Sequence, residues 1–169
     1  TCRPMDLTMV DGLLDGPDVD RAYEVVSESD FVMIGRVESS RESLRFQMVS
    51  PDAAQHEHRL IEDEDGDPVG VLVIERDAAA RLVFADAYCL PGLETDVLTP
   101  LVAMGIAAGG RLSEGEPGWQ MEAGALAKDV GACAVLESSG YAQVRRFWQM
   151  GIDLAGSSVT EPMPPPGVT

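Results

Sequence analysis

Asp86 is the side chain in this sequence that is best placed to take a proton. It lies in the apolar run Arg81–Leu90, where the period of a strand puts it on one face with Phe84 and Tyr88. Burial beside aromatic rings disfavours a charged carboxylate and raises its pKa, which suits a general base. The alternative is a carboxylate at a sheet edge or on an acidic wall. Glu75, at the end of the preceding predicted strand, is a weaker candidate for the base.

Metal chemistry finds little support in this sequence. His56 and His58 flank Glu57, but the chain contains no other histidine. Zinc sites need three or four ligands, so this short run does not make one. We therefore predict two solvated histidines and no metal.

The three cysteines also argue for structure rather than chemistry. Cys2, Cys89 and Cys133 are odd in number and widely spaced, which does not match a disulfide framework or a CxxC metal site. Cys89 lies close to Asp86 and resembles a nucleophile in position. Without a histidine partner we expect it to be a small buried apolar side chain.

The charge of the chain limits its partners. With 12 basic and 29 acidic side chains, the formal net charge is −17. Such a field repels phosphodiester backbones, so we expect no nucleic-acid partner. The acidic surface serves solubility or, alternatively, attracts a cationic amine.

Length and hydropathy favour a single soluble domain. The chain has 169 residues and is 45% hydrophobic, which suffices for one sizeable core. The longest apolar run, Val97–Gly110, is interrupted by Thr99 and Pro100. A membrane span needs about 20 apolar residues, so we expect no membrane partner and a cytoplasmic location. Gly105 and Gly109 then indicate close helix packing.

The first half of the chain predicts one strand and three helices. Thr1–Met5 fits a short strand. Asp6 can cap a helix whose apolar face is Leu7, Val10, Leu13 and Leu14, and Gly16-Pro17 would end it. Two further helices are predicted, over Val19–Val26 and Ser40–Val49.

The second half predicts strands followed by alternating helices and strands. Three antiparallel strands are expected at His58–Asp63, Val69–Glu75 and Arg81–Leu90. Thr99 fits an N-cap and Pro100 the first position of the next helix. A strand over Trp119–Ala125, a helix from Asp129 to Gly140 and a long strand over Tyr141–Leu154 complete the order.

This order of elements resembles the GCN5-related N-acetyltransferase (GNAT) family. The likeness is strongest in GDPVGVLVIE, Gly66–Glu75, and in DVGACAVLESSGY, Asp129–Tyr141. It implies an α/β fold with a central mixed, mostly antiparallel sheet flanked by helices, over residues 1–155. It also implies transfer of an acetyl group from acetyl-CoA to an amine of a small molecule or peptide. An unrelated α/β domain that binds a small ligand is the remaining alternative.

The resemblance also locates a cofactor loop, R/Q-x-x-G-x-G/A, that holds the pyrophosphate at a helix start. Counted from Pro91, the implied contacts are Glu94, Thr95, Asp96, Val97, Leu98 and Thr99, preceded by Cys89 and Leu90. Glu94 stands at the basic position, and Val97 and Thr99 stand at the glycine positions. Carboxylates repel phosphate and side chains keep it from the backbone, so weak or absent acetyl-CoA binding is expected.

The family's proton donors also change in this chain. Asp86 is the implied general base. The family's tyrosine acid corresponds to Leu136, which cannot donate a proton. Tyr141 is expected to be a core aromatic rather than its substitute. The alternative function is therefore a non-catalytic GNAT-like module that packs on a catalytic domain or subunit.

The proline-rich end of the chain suggests a linker. Residues 156–169 end in PPPGVT, which resembles the junction in tandem GNAT proteins related to mycothiol synthase. The resemblance implies a second GNAT domain after this linker. A homodimer and a plain tail are the alternatives, and Pro162–Thr169 is expected to be extended in each case.

Overall fold

The computed structural model describes residues 1–10, 13–49 and 52–147. Within them, a five-stranded sheet has the order β1-β4-β5-β6-β7. Its strands are β1 (Cys2–Pro4), β4 (Arg59–Glu62), β5 (Pro68–Asp77), β6 (Leu82–Cys89) and β7 (Gln120–Glu122). The pairs are antiparallel except for β6 with β7, which is parallel. The predicted mixed, mostly antiparallel sheet is confirmed.

Helices cover both faces of the sheet. They are α1 (Pro17–Ile34), α2 (Arg41–Val49), α3 (Thr99–Leu112) and α4 (Val130–Ser138). One core joins α1 and α2 to the sheet through Val71 and Val73, and the other joins α3 through Leu72 and Ile74. Because β5 is covered on both faces, Val69–Ile74 reads as an unbroken buried apolar run.

Two glycines bring α3 close to the sheet, as the sequence predicts. A Cβ on Gly105 would lie 3.1 Å from the Cβ of Ala85, and one on Gly109 would overlap the side chain of Met121. Small residues at these turns therefore set how near α3 lies to β6 and β7.

The predicted helix after Asp6 is wrong. Residues 8–15 instead include an antiparallel hairpin of β2 (Thr8–Val10) and β3 (Leu13–Asp15). Gly16-Pro17 begins α1 rather than ending a helix, with the proline in the first turn. The reason is that a first-turn proline loses no hydrogen bond, so the same pair serves as a start signal.

The predicted strand over Tyr141–Leu154 is wrong where the structure describes it. Residues 141–147 form no strand, and Val144 and Phe147 are 77% and 85% exposed. The segment meets β7 through an ion pair of Arg145 with Glu122 instead of a backbone ladder. Residues 148–154 and the tail 156–169 lie outside the described residues.

His58 is buried, contrary to the solvated position predicted for it. Its Nδ1 accepts a hydrogen bond from the Ile74 amide at 3.0 Å, and its Nε2 lies 3.4 Å from the Met48 carbonyl. Burial lowers the pKa of His58 to about 4. His56 is exposed as predicted, and no cluster of potential metal ligands occurs among the described residues. This histidine joins α2 to the central strand.

Candidate functional site

A cleft opens where the two parallel strands separate. β6 and β7 pair only from Leu82 opposite Gln120 to Phe84 opposite Glu122. Beyond that point, the Gly124 amide donates to Asp86 Oδ1 at 2.9 Å. The side chain of Asp86 therefore bridges the gap that the backbones leave.

Asp86 has the properties expected of a proton acceptor. Burial raises its pKa, and the hydrogen bond from Gly124 offsets part of that rise. Glu75, the other candidate base, lies on β5 as the cross-strand partner of Phe84. It is thus one strand further from the cleft. These placements favour Asp86, which remains a prediction as a catalytic group.

Tyr88 lies on the same strand as Asp86 and responds to its charge. Burial raises the pKa of Tyr88, and the negative charges of Asp86 and Asp30 add to the rise. Asp30 is a buried residue near the end of α1, where it accepts the amides of Glu38 and Ser39 at 3.1 and 3.0 Å. The Asp86 side of the sheet is therefore acidic and aromatic.

Tyr141 follows α4 and packs against the core on the α3 face of the sheet, opposite α1 and α2. Gly140 has a left-handed φ of 95°, and the Tyr141 amide donates to the Leu136 carbonyl at 3.0 Å, which ends α4 in a Schellman motif. Burial and the charge on Asp86 raise the pKa of Tyr141. Its ring packs against the α3 core, as predicted for a core aromatic. Two phenols thus lie within electrostatic reach of one carboxylate.

The cleft beside Asp86 is narrow and apolar. It encloses about 10 Å³, room for about one water molecule. It is lined by Ala87, Leu98, Val102, Ala123, Gly124, Ala132 and Leu136. Leu136, at the position of the family's tyrosine, therefore faces the site without a proton to give.

The loop before α3 is a single π-helical turn, Glu94–Leu98. The amides of Val97 and Leu98 donate to the Leu93 carbonyl at 2.8 and 3.4 Å. The Thr99 amide donates to the Glu94 carbonyl. Thus, three amides of the predicted phosphate loop are already bonded within the chain.

Thr99 is not the N-cap that its sequence predicts. Its backbone is helical, with φ −56° and ψ −50°, and its hydroxyl donates to the Glu94 carbonyl at 3.1 Å. The α-helix does begin at Thr99, but the π turn replaces the cap. A preceding helical turn already satisfies the amides that a cap would serve.

Apolar packing explains Val97, which stands at one of the family's glycine positions, and its neighbour Leu98. Val97 and Leu98 are 6% and 3% exposed and belong to the α3 core. Val97 fills the space above Gly70, where a Cβ would overlap its methyl group. Thr95 and Asp96 are exposed. The loop is thus part of the core on one side and acidic on the other.

Glu94 connects the loop to α4. Its Oε1 accepts the Gly92 amide at 3.1 Å. A Cβ on Gly131 would lie 2.8 Å from its Cγ, so the side chain lies against the first turn of α4. Sequence reasoning missed Gly131, although a glycine in the first turn of a helix is an unusual choice that signals close approach.

Cys89 and Leu90, the other predicted cofactor contacts, also take part in burial and backbone hydrogen bonding within the fold. Cys89 is buried, and burial with the charges of Glu94 and Asp129 raises its pKa to about 12. Its thiol therefore stays protonated, which agrees with a structural role. The Leu90 amide donates to the Val69 carbonyl at 3.0 Å.

Comparison with known proteins gives a structural likeness without a sequence match. No protein-family model matches the chain, and no curated protein matches it.

No helix among the described residues has the length and apolar character to cross a membrane.

Several of the structural matches are named as acetyltransferases. A GCN5-related N-acetyltransferase from Sphaerobacter thermophilus matches 82% of this chain with a TM-score of 0.61 and 15% identity. This chain covers 46% of that protein, about half its length. Matches to a putative phosphinothricin N-acetyltransferase cover 84% of this chain and 82% of that one, with a TM-score of 0.55 and 13% identity.

An aminoglycoside N-acetyltransferase solved in complex with CoA is also similar. The match covers 89% of this chain and 98% of that one, with a TM-score of 0.51 and 11% identity. At identities this low, the structural likeness establishes the architecture, and the chemistry has to be argued from the residues of this chain. The strand order, the parallel pair that separates and the helices on both faces show that this chain has the GNAT acetyltransferase fold.

Proposed function

We propose that this domain transfers an acetyl group from acetyl-CoA to an amine at the cleft between β6 and β7. The observation that carries the proposal is Asp86, a carboxyl with a raised pKa that the Gly124 amide holds across the separating strands. Named N-acetyltransferases among the structural matches support this reaction class.

The proposed chemistry is direct transfer. The amine nitrogen attacks the thioester carbonyl, the new C–N bond forms and the C–S bond breaks. Asp86 accepts the proton that the amine loses, and the sulfur leaves and is protonated to the thiol. A raised pKa makes Asp86 a stronger base than an ordinary carboxylate. Since Leu136 offers no proton, solvent would supply the one that the thiolate takes.

The residues fit one part of acetyl-CoA and not the other. The lining of the cleft is apolar, as an uncharged arm requires, but its volume of about 10 Å³ must widen before an arm can enter. The thioester supplies the activated acetyl group. The pyrophosphate does not fit, because Glu94 and Asp96 are negative and the amides of Val97–Thr99 are bonded internally. No role for the loop in holding phosphate is therefore derived.

The acceptor is proposed to be a cationic amine of a small molecule or peptide. The net charge of −17 attracts cations, and the charges of Asp86 and Asp30 both reach Tyr88, which packs against the core of α1 and α2. Only the neutral amine attacks, so a carboxylate that both attracts the cation and takes its proton serves binding and reaction together.

An acetylation assay tests the proposal. The domain is incubated with acetyl-CoA and a panel of primary amines, and N-acetyl products are measured by mass spectrometry. Amine-dependent release of free thiol above the rate without protein is expected. Absence of product with every amine, from a protein that unfolds cooperatively, would contradict the proposal.

The bonded amides of the loop favour a second candidate, a non-catalytic GNAT-like module that packs on a catalytic domain or subunit. A phosphate site whose amides are occupied has lost its binding groups. Calorimetry with acetyl-CoA separates the two candidates. Binding in the low micromolar range, about −8 kcal/mol, supports the enzyme, and no binding of any thioester supports the module.

We also propose that residues 1–155 form one domain and that 156–169 lead to a second GNAT domain. The Sphaerobacter relative, about twice as long, supports this arrangement. The alternative partner is a second copy of this chain. The mass of the protein isolated from its native cells tests the proposal, because a second domain would about double it.

A further inference from the structure

The cleft between β6 and β7 is shut. It encloses about 10 Å³, room for about one water molecule, and a thioester donor is far larger than that. Ala87 and Gly124 line it on the sheet side, and Ala132 and Leu136 line it on the α4 side. Acetyl transfer at this place therefore requires one of the walls to move.

β6 is the fixed wall of the cleft. All eight of its residues, Leu82–Cys89, pair with β5. Val83, Ala85 and Cys89 are also buried in the α3 core. Moving β6 would break this ladder and expose the core, so the opposite wall has to give way.

The opposite wall is held more weakly. After Glu122, residues 123–126 form no helix or strand. Along α4, whose nine residues are all described, no residue is fully buried. Segments with so little buried surface can shift at low cost. Residues 123–126 and α4 are therefore the part of the cleft that can open.

A hydrogen bond joins this movable wall to β6. Past the last backbone pair of β6 and β7, Phe84 opposite Glu122, the Gly124 amide donates to Asp86 Oδ1 at 2.9 Å. Gly124 lines the cleft and Asp86 belongs to β6, so this bond draws the two walls together. A hydrogen bond to a carboxylate is stronger than one between neutral groups.

We propose that the Asp86–Gly124 hydrogen bond is a latch that keeps the cleft shut until a thioester donor enters and breaks it. This inference rests on the proposed acetyl transfer and adds its regulation. The bond from Gly124 lowers the pKa of Asp86 against the rise that burial causes, so its loss makes the carboxylate a stronger base. The freed oxygen then accepts the proton of the amine, and Asp86 is activated only when the donor is in place.

Binding of a small donor tests the latch. The probe is N,S-diacetylcysteamine, an uncharged thioester without phosphate, so the carboxylates of the loop do not repel it. Asp86→Val fills a similar space but accepts no hydrogen bond. It should bind the probe about tenfold more tightly than the wild type in NMR titrations, because no latch has to be broken.

Asp86→Asn separates the hydrogen bond from the charge. It keeps an acceptor for the Gly124 amide, so its affinity for the probe should stay within about twofold of the wild type. An equal gain in Asp86→Asn and Asp86→Val would overturn the inference, because the charge of Asp86 rather than its hydrogen bond would then oppose binding.

Asp77→Ala is the matched control. The Asp77 carboxylate accepts the Ala80 amide at 2.8 Å, in the turn between β5 and β6 and outside the residues that line the cleft. Removing this similar bond should leave the affinity for the probe unchanged. A gain like that of Asp86→Val would indicate a general loosening of the sheet and would contradict the latch.

Hydrogen exchange of the Gly124 amide observes the latch without any donor. In NMR measurements it should be about tenfold slower in the wild type than in Asp86→Val or Asp86→Ala, which both lack the acceptor. Equal rates would mean that the bond does not hold the wall. If the wild type acetylates amines but these differences do not occur, the inference fails and the proposed function stands. If no protein binds the probe and no product forms, both fail.

Discussion

The two ends of the cleft are built in opposite ways. At the Asp86 end, defined by Asp86, Gly124 and Tyr141, a carboxyl is desolvated and kept by one hydrogen bond. At the loop end, Glu94–Thr99, the apolar side chains are buried and the amides are bonded. One end retains an ionisable group that costs stability, and the other consists of buried side chains and bonded amides.

This difference separates the residues that stabilise the fold from those that are retained at a cost in stability. Burying a carboxyl disfavours its charged form, so it persists only where the structure or the chemistry needs it. Burying Val97 and Leu98 is favourable by about 2 kcal/mol each. The loop end therefore has the burial expected of a hydrophobic core, whereas the Asp86 end has the desolvated ionisable group expected of a functional site.

The largest expected effect is on the rate of acetyl transfer. Asp86→Asn keeps an acceptor for the Gly124 amide but cannot take a proton. We expect kcat to fall by about 10²- to 10⁴-fold with KM for the donor little changed. Steady-state kinetics with the best amine of the panel measure this, and Glu75→Gln is the comparison. An unchanged rate would remove Asp86 from the mechanism.

Asp86→Asn, which should slow acetyl transfer, should at the same time increase the stability of the fold. Because the folded-state pKa of Asp86 is raised, ionising it favours the unfolded chain. The wild type therefore loses stability as pH rises from the carboxyl's ordinary pKa through its raised one. Asp86→Asn should lack this loss and be more stable at pH 7, as urea titrations at several pH values would show.

Next in size is the loss of core at the loop end. Leu98→Ala should lower the free energy of unfolding by about 2–5 kcal/mol, since it removes a buried side chain beside Val102. Thr95→Ala, in the same turn but exposed, should change it by less than about 0.5 kcal/mol. Equal effects measured by urea unfolding would show that the loop is not part of the core.

The buried His58 tests the scaffold behind the Asp86 end. Its pKa of about 4 lies below the ordinary value of 6.5, so the folded state disfavours its protonation. Its contribution to stability is present above pH 6.5 and falls as pH drops towards the folded pKa. Between pH 6.5 and 5 the loss should reach about 2 kcal/mol.

The controls for His58 use its neighbours in sequence. His56→Gln, at an exposed position, should keep the full pH dependence in this window. His58→Asn should lower stability at pH 7 and remove the part of the pH dependence that His58 causes, because its amide cannot be protonated. A His58→Asn variant whose unfolding free energy changes with pH just as that of the wild type does would contradict the buried, neutral His58.

The smallest expected effect concerns α4, the wall that both ends share. Asp129→Ala removes the cap on the Ala132 amide and should cost about 1 kcal/mol of stability. Asp129→Asn retains an acceptor at the cap while removing the charge, so it should cost less. If the two variants are equally destabilised in thermal unfolding, charge rather than capping matters at this position.

Local signals in the sequence predicted several elements correctly. The apolar, strand-like runs of β5 and β6 predicted an antiparallel pair, which the structure contains. Asp129 caps α4, and Gly140 ends it, as expected from residue types that suit these backbone angles. These features depend on neighbours within a few positions, so the sequence carries them directly.

Other elements could not be predicted from local patterns. The apolar residues between Asp6 and Gly16 suit a helix face as well as a hairpin, so the local pattern does not decide between them, and the structure contains the hairpin. The burial of His58 depends on amides and carbonyls from Ile74 and Met48, which are far from it in sequence. Neither outcome has a signal within the local segment.

By itself, the sequence determined the residue types at both ends of the cleft: a carboxyl at Asp86, carboxylates at Glu94 and Asp96, and Val97 and Thr99 at the loop's glycine positions. Only the tertiary structure decided what those residues meet. It placed Gly124 beside Asp86, Gly70 beneath Val97 and Gly131 beside Glu94. The physical reason is that desolvation and close contact depend on distant segments, which a linear pattern does not specify.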